Sequence, residues 1–95
     1  MKVVINRCYG GFGLSSKALT RYCELSNIVN PEDFYVWDIE RTDPILIQIV
    51  EEMGEDADDA YSKLKIIEIA DDVKWHIEEY DGIEHIAEDH RTWVK

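Results

Sequence analysis

"KWHIEEYDGIEHIAED" (residues 74–89) carries two arms of alternating apolar and polar side chains around Asp81-Gly82, a dipeptide that supplies the positive φ angles of a two-residue hairpin turn. That turn fixes register, setting Tyr80 opposite Ile83, Glu79 opposite Glu84, Glu78 opposite His85 and Ile77 opposite Ile86. Trp75, Ile77 and Ile86 then share one face, apolar towards its base and acidic near the turn. Glu79 against Glu84 is a like-charge pair, destabilising by a few tenths up to about 1 kcal/mol unless a cation lies between them.

Immediately before the hairpin, "KLKIIEI" (63–69) reads as a strand, and its apolar residues on both faces predict a central position in the sheet. Immediately after it, "HRTWV" (90–94) predicts a short last strand. Further upstream, "RTDP" places Asp43 at a helix N-cap and Pro44 at the first helical position, and Gly54 stops the helix. Ile45, Leu46, Ile49, Val50 and Met53 form its apolar stripe, with Ile47 off the stripe and available for a second contact. The acidic "EDADDAYS" (55–62) predicts a solvated, mobile connection, and "FYVWDI" (34–39) predicts a strand from its β-branched and aromatic content. At the N-terminal end, "KVVI" (2–5) suits a buried strand, and Ser15 is placed to cap a helix starting at Ser16 with Ala18, Leu19, Tyr22 and Cys23 as its apolar stripe. The order is β-α-β-α-β-β-β: one α+β domain over residues 1–95, with a small mixed sheet, two helices on one face and a C-terminal β-hairpin.

Ninety-five residues with 45% hydrophobic content provide one core and little room for a deep enclosed active site. The apolar runs are too short to span a membrane and no signal-peptide h-region is present, so a cytoplasmic location, with no membrane partner, is expected. Cys8 and Cys23 have neither CxxC spacing nor a histidine cluster and read as small buried hydrophobes. Residues 1–30 carry Lys2, Arg7, Lys17 and Arg21 against Glu24, a net +3, while residues 31–95 carry −14, for a total of −11. This excess of negative charge argues against direct nucleic-acid binding. Complementary halves or exposed strand edges predict association of copies into a homo-oligomer.

Between the first strand and helix lies "NRCYGGFGLSSK" (6–17). Against G-x-G-x-x-G it offers Gly11, Gly13 and then Ser16, a poor spelling in a good position, since a glycine turn opening a helix directs free backbone N–H groups and partial positive charge outward. Arg7, Lys17 and Arg21 surround that end. Its candidate ligand contacts are Arg7, Gly10, Gly11, Gly13, Ser15 and Ser16 on phosphate, with Tyr9, Phe12 or Trp93 stacking on a base. The competing structural role is a tight turn in which Tyr9 and Phe12 pack over the sheet. His85 and Glu88 point to opposite faces of a strand, so His85, Glu88 and His90 do not make a metal site. No cofactor, metal or catalytic residue is expected, and a binding protein fits better than an enzyme.

"INRCYGGFGLSSKA", "RTDPILIQIVEEMG" and "KLKIIEIADDVKWHIEEYDGIEHIAEDHRTW" together resemble a family of small proteins encoded mainly by bacteriophages and prophages. The resemblance covers nearly the whole chain and implies a setting in the host-cell cytoplasm, as a host-takeover or anti-defence factor, without implying catalytic residues. Two functions follow. One is a nonenzymatic protein that sequesters a phosphorylated small molecule or nucleotide signal. The other is an acidic mimic whose Glu51, Glu52, Glu55, Asp56, Asp58 and Asp59 occlude a nucleic-acid channel of a host defence protein.

Overall fold

The computed structural model describes residues 1–28 and 34–88. Strand β1 (Lys2–Asn6) pairs antiparallel with β2 (Leu64–Glu68), with Val3 opposite Ile67 and Ile5 opposite Lys65. Strand alternation sorts the pair into two faces. Val4, Leu64 and Ile66 turn towards the helices, whereas Val3, Ile5 and Ile67 turn towards the hairpin, joined there by Ile69. The hairpin is β3 (Trp75–Tyr80) and β4 (Ile83–Glu88), in the register read from its turn. Asp81 has φ 54° and Gly82 φ 89°, as a turn with two positive φ angles requires. Trp75, Ile77 and Ile86 cover the hairpin-side face of β1 and β2.

Helix α1 (Ser16–Ser26) starts where Ser15 Oγ accepts the Ala18 N–H at 3.1 Å and ends on Asn27 in the left-handed region. Helix α2 (Pro44–Met53) starts where Asp43 accepts the Ile45 N–H at 2.8 Å and ends at Gly54. Ala18 and Tyr22 meet Leu46, Ile49 and Val50 over Val4 and Leu64, so both helices pack on one face of the β1–β2 pair. Ile47, half-buried, packs against the same cluster.

The class is α+β, with corrections inside it. In place of one mixed sheet, the described residues form two antiparallel two-stranded sheets. The predicted strand at 34–39 is a 3-10 turn at Val36–Asp38. Phe34 and Val36 pack inward while Tyr35 and Trp37 stay exposed; the turn then brings Ile39 into the core at the three-residue spacing from Val36 that a 3-10 turn provides. No sheet edge was open to it on β1, whose Val4 N–H donates to the Arg41 carbonyl at 2.9 Å. With two strands the sheet has no central position; β1 is the buried strand of the pair and β2 the exposed one. Lys63, Lys65 and Glu68 keep β2 at the periphery, exposed to water.

The acidic connection is folded into turns. A 3-10 turn at Gly54–Ala57 buries Ala57 completely, Asp58 accepts the Leu64 N–H at 2.8 Å, and Asp59 accepts the Tyr61 N–H at 2.7 Å. Its carboxylates act as turn acceptors. The "HRTWV" strand, with His90 and Trp93, lies outside the described residues. Among the described residues, no helix is long and apolar enough to cross a membrane.

Candidate functional site: a cationic cleft between sheet and hairpin

Two buried polar residues hold the hairpin to the sheet. Asn6, fully buried at the end of β1, donates from Nδ2 to the carbonyls of Cys8 and Gly82, both at 2.7 Å, and its Oδ1 accepts the N–H groups of Cys8 (3.2 Å) and Lys63 (2.8 Å). Glu84, only 6% exposed, reaches from β4 to accept the Asn6 backbone N–H at 2.8 Å. The Arg41 guanidinium grips the same carboxylate through two bonds, 2.5 Å to Oε1 and 2.8 Å to Oε2, and lies 3.7 Å over the centre of the Phe12 ring. Arg41 is therefore the cation that neutralises Glu84, the inner member of the Glu79–Glu84 pair. Glu79 turns to the hairpin tip, where it accepts the Gly82 N–H at 2.5 Å.

This clamp positions the hairpin over only part of the sheet. The hairpin-side face of β2 carries Ile67, next to Ile69, at one end and Lys65, next to Lys63, at the other, and β1 continues into Arg7 opposite Lys63. Trp75, Ile77 and Ile86 cover the apolar end, leaving the basic end as one wall of a cleft of about 460 Å³, a volume in the range of small-molecule sites. Ile5, Ile67 and Ile86 make its apolar surface, and Arg7, Lys63, Lys65 and His85 line it as well. Three of the chain's ten lysines and arginines thus gather at one concavity of a protein whose net charge is −11. Arg7 is already oriented, because its Nη1 donates to the Glu84 carbonyl at 2.7 Å, and among the described residues its other side-chain donors have no partner. On the neighbouring strand Glu78 accepts from, or pairs with, His76 (3.1 Å) and His85 (2.9 Å), which together hold its carboxyl below the usual range, His76 contributing most.

The residues singled out in the glycine loop do not converge on one ligand position. Arg7 lines the cleft, Tyr9 is 72% exposed, and Ser16 sits on an outer groove beside Lys17, Thr20 and Arg21. Phe12 packs under Arg41 and against the core. Ser15 is spent as a cap, its hydroxyl donating to the Asp56 carbonyl at 2.6 Å and its N–H to the Ala57 carbonyl at 2.9 Å. Close packing accounts for the glycines: a Cβ on Gly10 would lie 2.0 Å from Tyr61 Cβ, and one on Gly13 would lie 2.1 Å from a carboxylate oxygen of Asp59. Gly11 has φ +93°, a conformation that favours glycine. The helix N-terminus is thus crossed by the acidic 56–59 segment, whose oxygens oppose a bound anion.

Lys63, Lys65 and His85 escape a reading of the glycine loop because they reach the cleft through long-range pairing. A signal for the lysines exists in the alternation of "KLKIIEI", which puts Lys63, Lys65, Ile67 and Ile69 on one strand face. No protein-family model, curated protein or solved structure matches the chain.

Proposed function

We propose that this chain is a nonenzymatic binding protein that sequesters a phosphorylated small molecule of nucleotide type, in the phage anti-defence setting its sequence resemblance implies. The observation that carries the reading is the gathering of Arg7, Lys63 and Lys65 around an apolar cleft in an otherwise strongly acidic chain. Arg7 and the two lysines hold phosphate oxygens, and the Ile5, Ile67 and Ile86 surface takes the base or another apolar part of the ligand. The glycine loop serves this site indirectly. It carries the chain tightly from Arg7 into α1 and seats the hairpin tip, since a Cβ on Gly82 would lie 2.1 Å from the Tyr9 carbonyl oxygen.

The acidic-mimic alternative has less free charge than the sequence offers. Glu51 pairs with Lys2 at 2.6 Å and Glu52 with Arg21 at 3.8 Å, while Asp58 accepts the Leu64 N–H at the start of β2 and Asp59 the Tyr61 N–H. Calorimetry against mono-, di- and cyclic nucleotides tests the two readings. Arg7→Ala should remove a charge-assisted bond and cost about tenfold to a hundredfold in affinity for any binder. Glu55→Gln and Asp56→Asn should leave that binding unchanged. A panel with no binder, or a binder indifferent to Arg7→Ala, Lys63→Ala and Lys65→Ala, overturns the reading.

A further inference from the structure

Among the described residues, one edge of the β1–β2 pair is closed and the other is open. The Arg7 N–H donates to the Lys63 carbonyl at 2.8 Å and the Ile69 N–H to the Met1 carbonyl at 2.9 Å, which fixes the phase of the ladder. Lys63, Lys65, Ile67 and Ile69 turn their main-chain groups towards β1, so Leu64, Ile66 and Glu68 turn theirs away. On the outer edge of β1, Arg41 and Glu84 take the N–H groups of Val4 and Asn6. On the outer edge of β2, Asp58 takes only the Leu64 N–H, and the outward N–H and C=O of Ile66 and Glu68 have no partner among the described residues.

The two flanks of this open edge differ in chemistry. On the helix side runs a groove of about 250 Å³ lined by Val50, Leu64 and Ile66 with the acidic Glu55 and Asp58, and bordered by Lys63 and Lys65 of the edge itself. On the hairpin side stand the exposed Lys63 and Lys65. We infer that this edge takes an extended peptide as an added strand, with acidic side chains towards Lys63 and Lys65 alternating with apolar side chains towards the groove. Strand alternation forces that sorting. Residues opposite Lys65 share its face, residues opposite Leu64 and Ile66 share theirs, and acidic side chains on the groove side would meet Glu55 and Asp58. A second copy pairing through the same edge is the poorer occupant, because the hairpin-side face of its β2 offers Lys63, Lys65, Ile67 and Ile69 and no acidic side chain to meet the lysines. The peptide shares Lys63 and Lys65 with the nucleotide reading, but Arg7 and Ile5 line only the cleft and Glu68 lies outside it. Arg7→Ala therefore tests the nucleotide reading and Glu68→Pro tests the added strand separately.

Fluorescence anisotropy with a labelled, end-capped peptide alternating glutamate and valine tests it, beside a control alternating lysine and valine. The acidic peptide should bind at least about tenfold more tightly than the basic one, and Glu68→Pro should weaken it by at least about tenfold, because proline removes an outward donor without taking a bond from the β1 ladder. Lys65→Glu should narrow or reverse the preference. Equal binding of the two peptides, or unchanged binding to Glu68→Pro, overturns the inference. So does a concentration-dependent dimer that Glu68→Pro abolishes, which would give the edge to a second copy. Should Glu68→Pro fail to fold, amide hydrogen exchange on the unaltered chain decides: added acidic peptide should protect Ile66 and Glu68, and unchanged exchange there refutes the proposal.

Discussion

Replacing Arg41 with methionine removes the cation that neutralises Glu84 while keeping much of the side-chain volume. Glu84 is 8% exposed at its side chain and Arg41 18%, so the carboxylate left behind keeps only the Asn6 N–H and little water. Breaking a buried pair from one side costs about 3–5 kcal/mol, a large part of the ~5–15 kcal/mol that holds a domain folded. At ~4–8 °C per kcal/mol for a domain of this size, Arg41→Met should lower Tm by at least about 12 °C. Chemical denaturation of Arg41→Met, Glu84→Gln and the double variant closes a thermodynamic cycle. Once Glu84 is an amide, the loss of Arg41 leaves no buried charge, so the double variant should recover at least about 2 kcal/mol relative to the sum of the single losses. Additive single effects, or a loss under about 1 kcal/mol for Arg41→Met, would refute the clamp as the device that seats the hairpin.

The turn and the loops give further expectations. Gly82→Val should cost at least about 1–3 kcal/mol in thermal melts, combining strain at φ +89° with a collision against the Tyr9 carbonyl, and an unchanged Tm would disprove the seating of the hairpin tip. Gly10→Ala should also destabilise, because its Cβ would fall 2.0 Å from Tyr61 Cβ; a neutral result would remove packing as the reason for that glycine. The Tyr22 hydroxyl is raised from 10.0 to about 12, first by burial and then by its bond to Asp43. The unfolded chain therefore loses this proton first, so the Tyr22 contribution is intact below pH 10 and lost as pH rises towards 12. Ultraviolet titration should show a late-ionising tyrosine that Tyr22→Phe abolishes, and its persistence in that variant would contradict the assignment.

The hairpin is legible in the sequence because turn chemistry and two-residue alternation agree over residues 75–88. The helix starts are legible because Ser15 and Asp43 cap locally, and local bonds need no knowledge of the fold. At Phe34–Ile39 that agreement fails: aromatic and β-branched residues favour a strand, but a strand needs a partner edge, and Arg41 occupies the one on β1. The acids at 55–59 look solvated by composition, yet Asp58 and Asp59 are turn acceptors, a role set by the neighbouring N–H groups. Arg7 is visible as a candidate from its charge beside the glycines. The cleft is not visible, because Lys63 and Lys65 meet Arg7 only through the antiparallel register of strands far apart in the chain.

We propose the cationic cleft, rather than the helix N-terminus or the acidic face, as the ligand site. Two-dimensional amide NMR, recorded while each nucleotide of the panel is titrated into labelled protein, tests it residue by residue. Saturable shifts are expected at Arg7, Lys63, Lys65, His85 and Ile86 for at least one nucleotide, with Ser16–Ala18 and Glu51–Asp56 still. Shifts concentrated at Gly11–Ala18, or no saturable shift with any member of the panel, would contradict it.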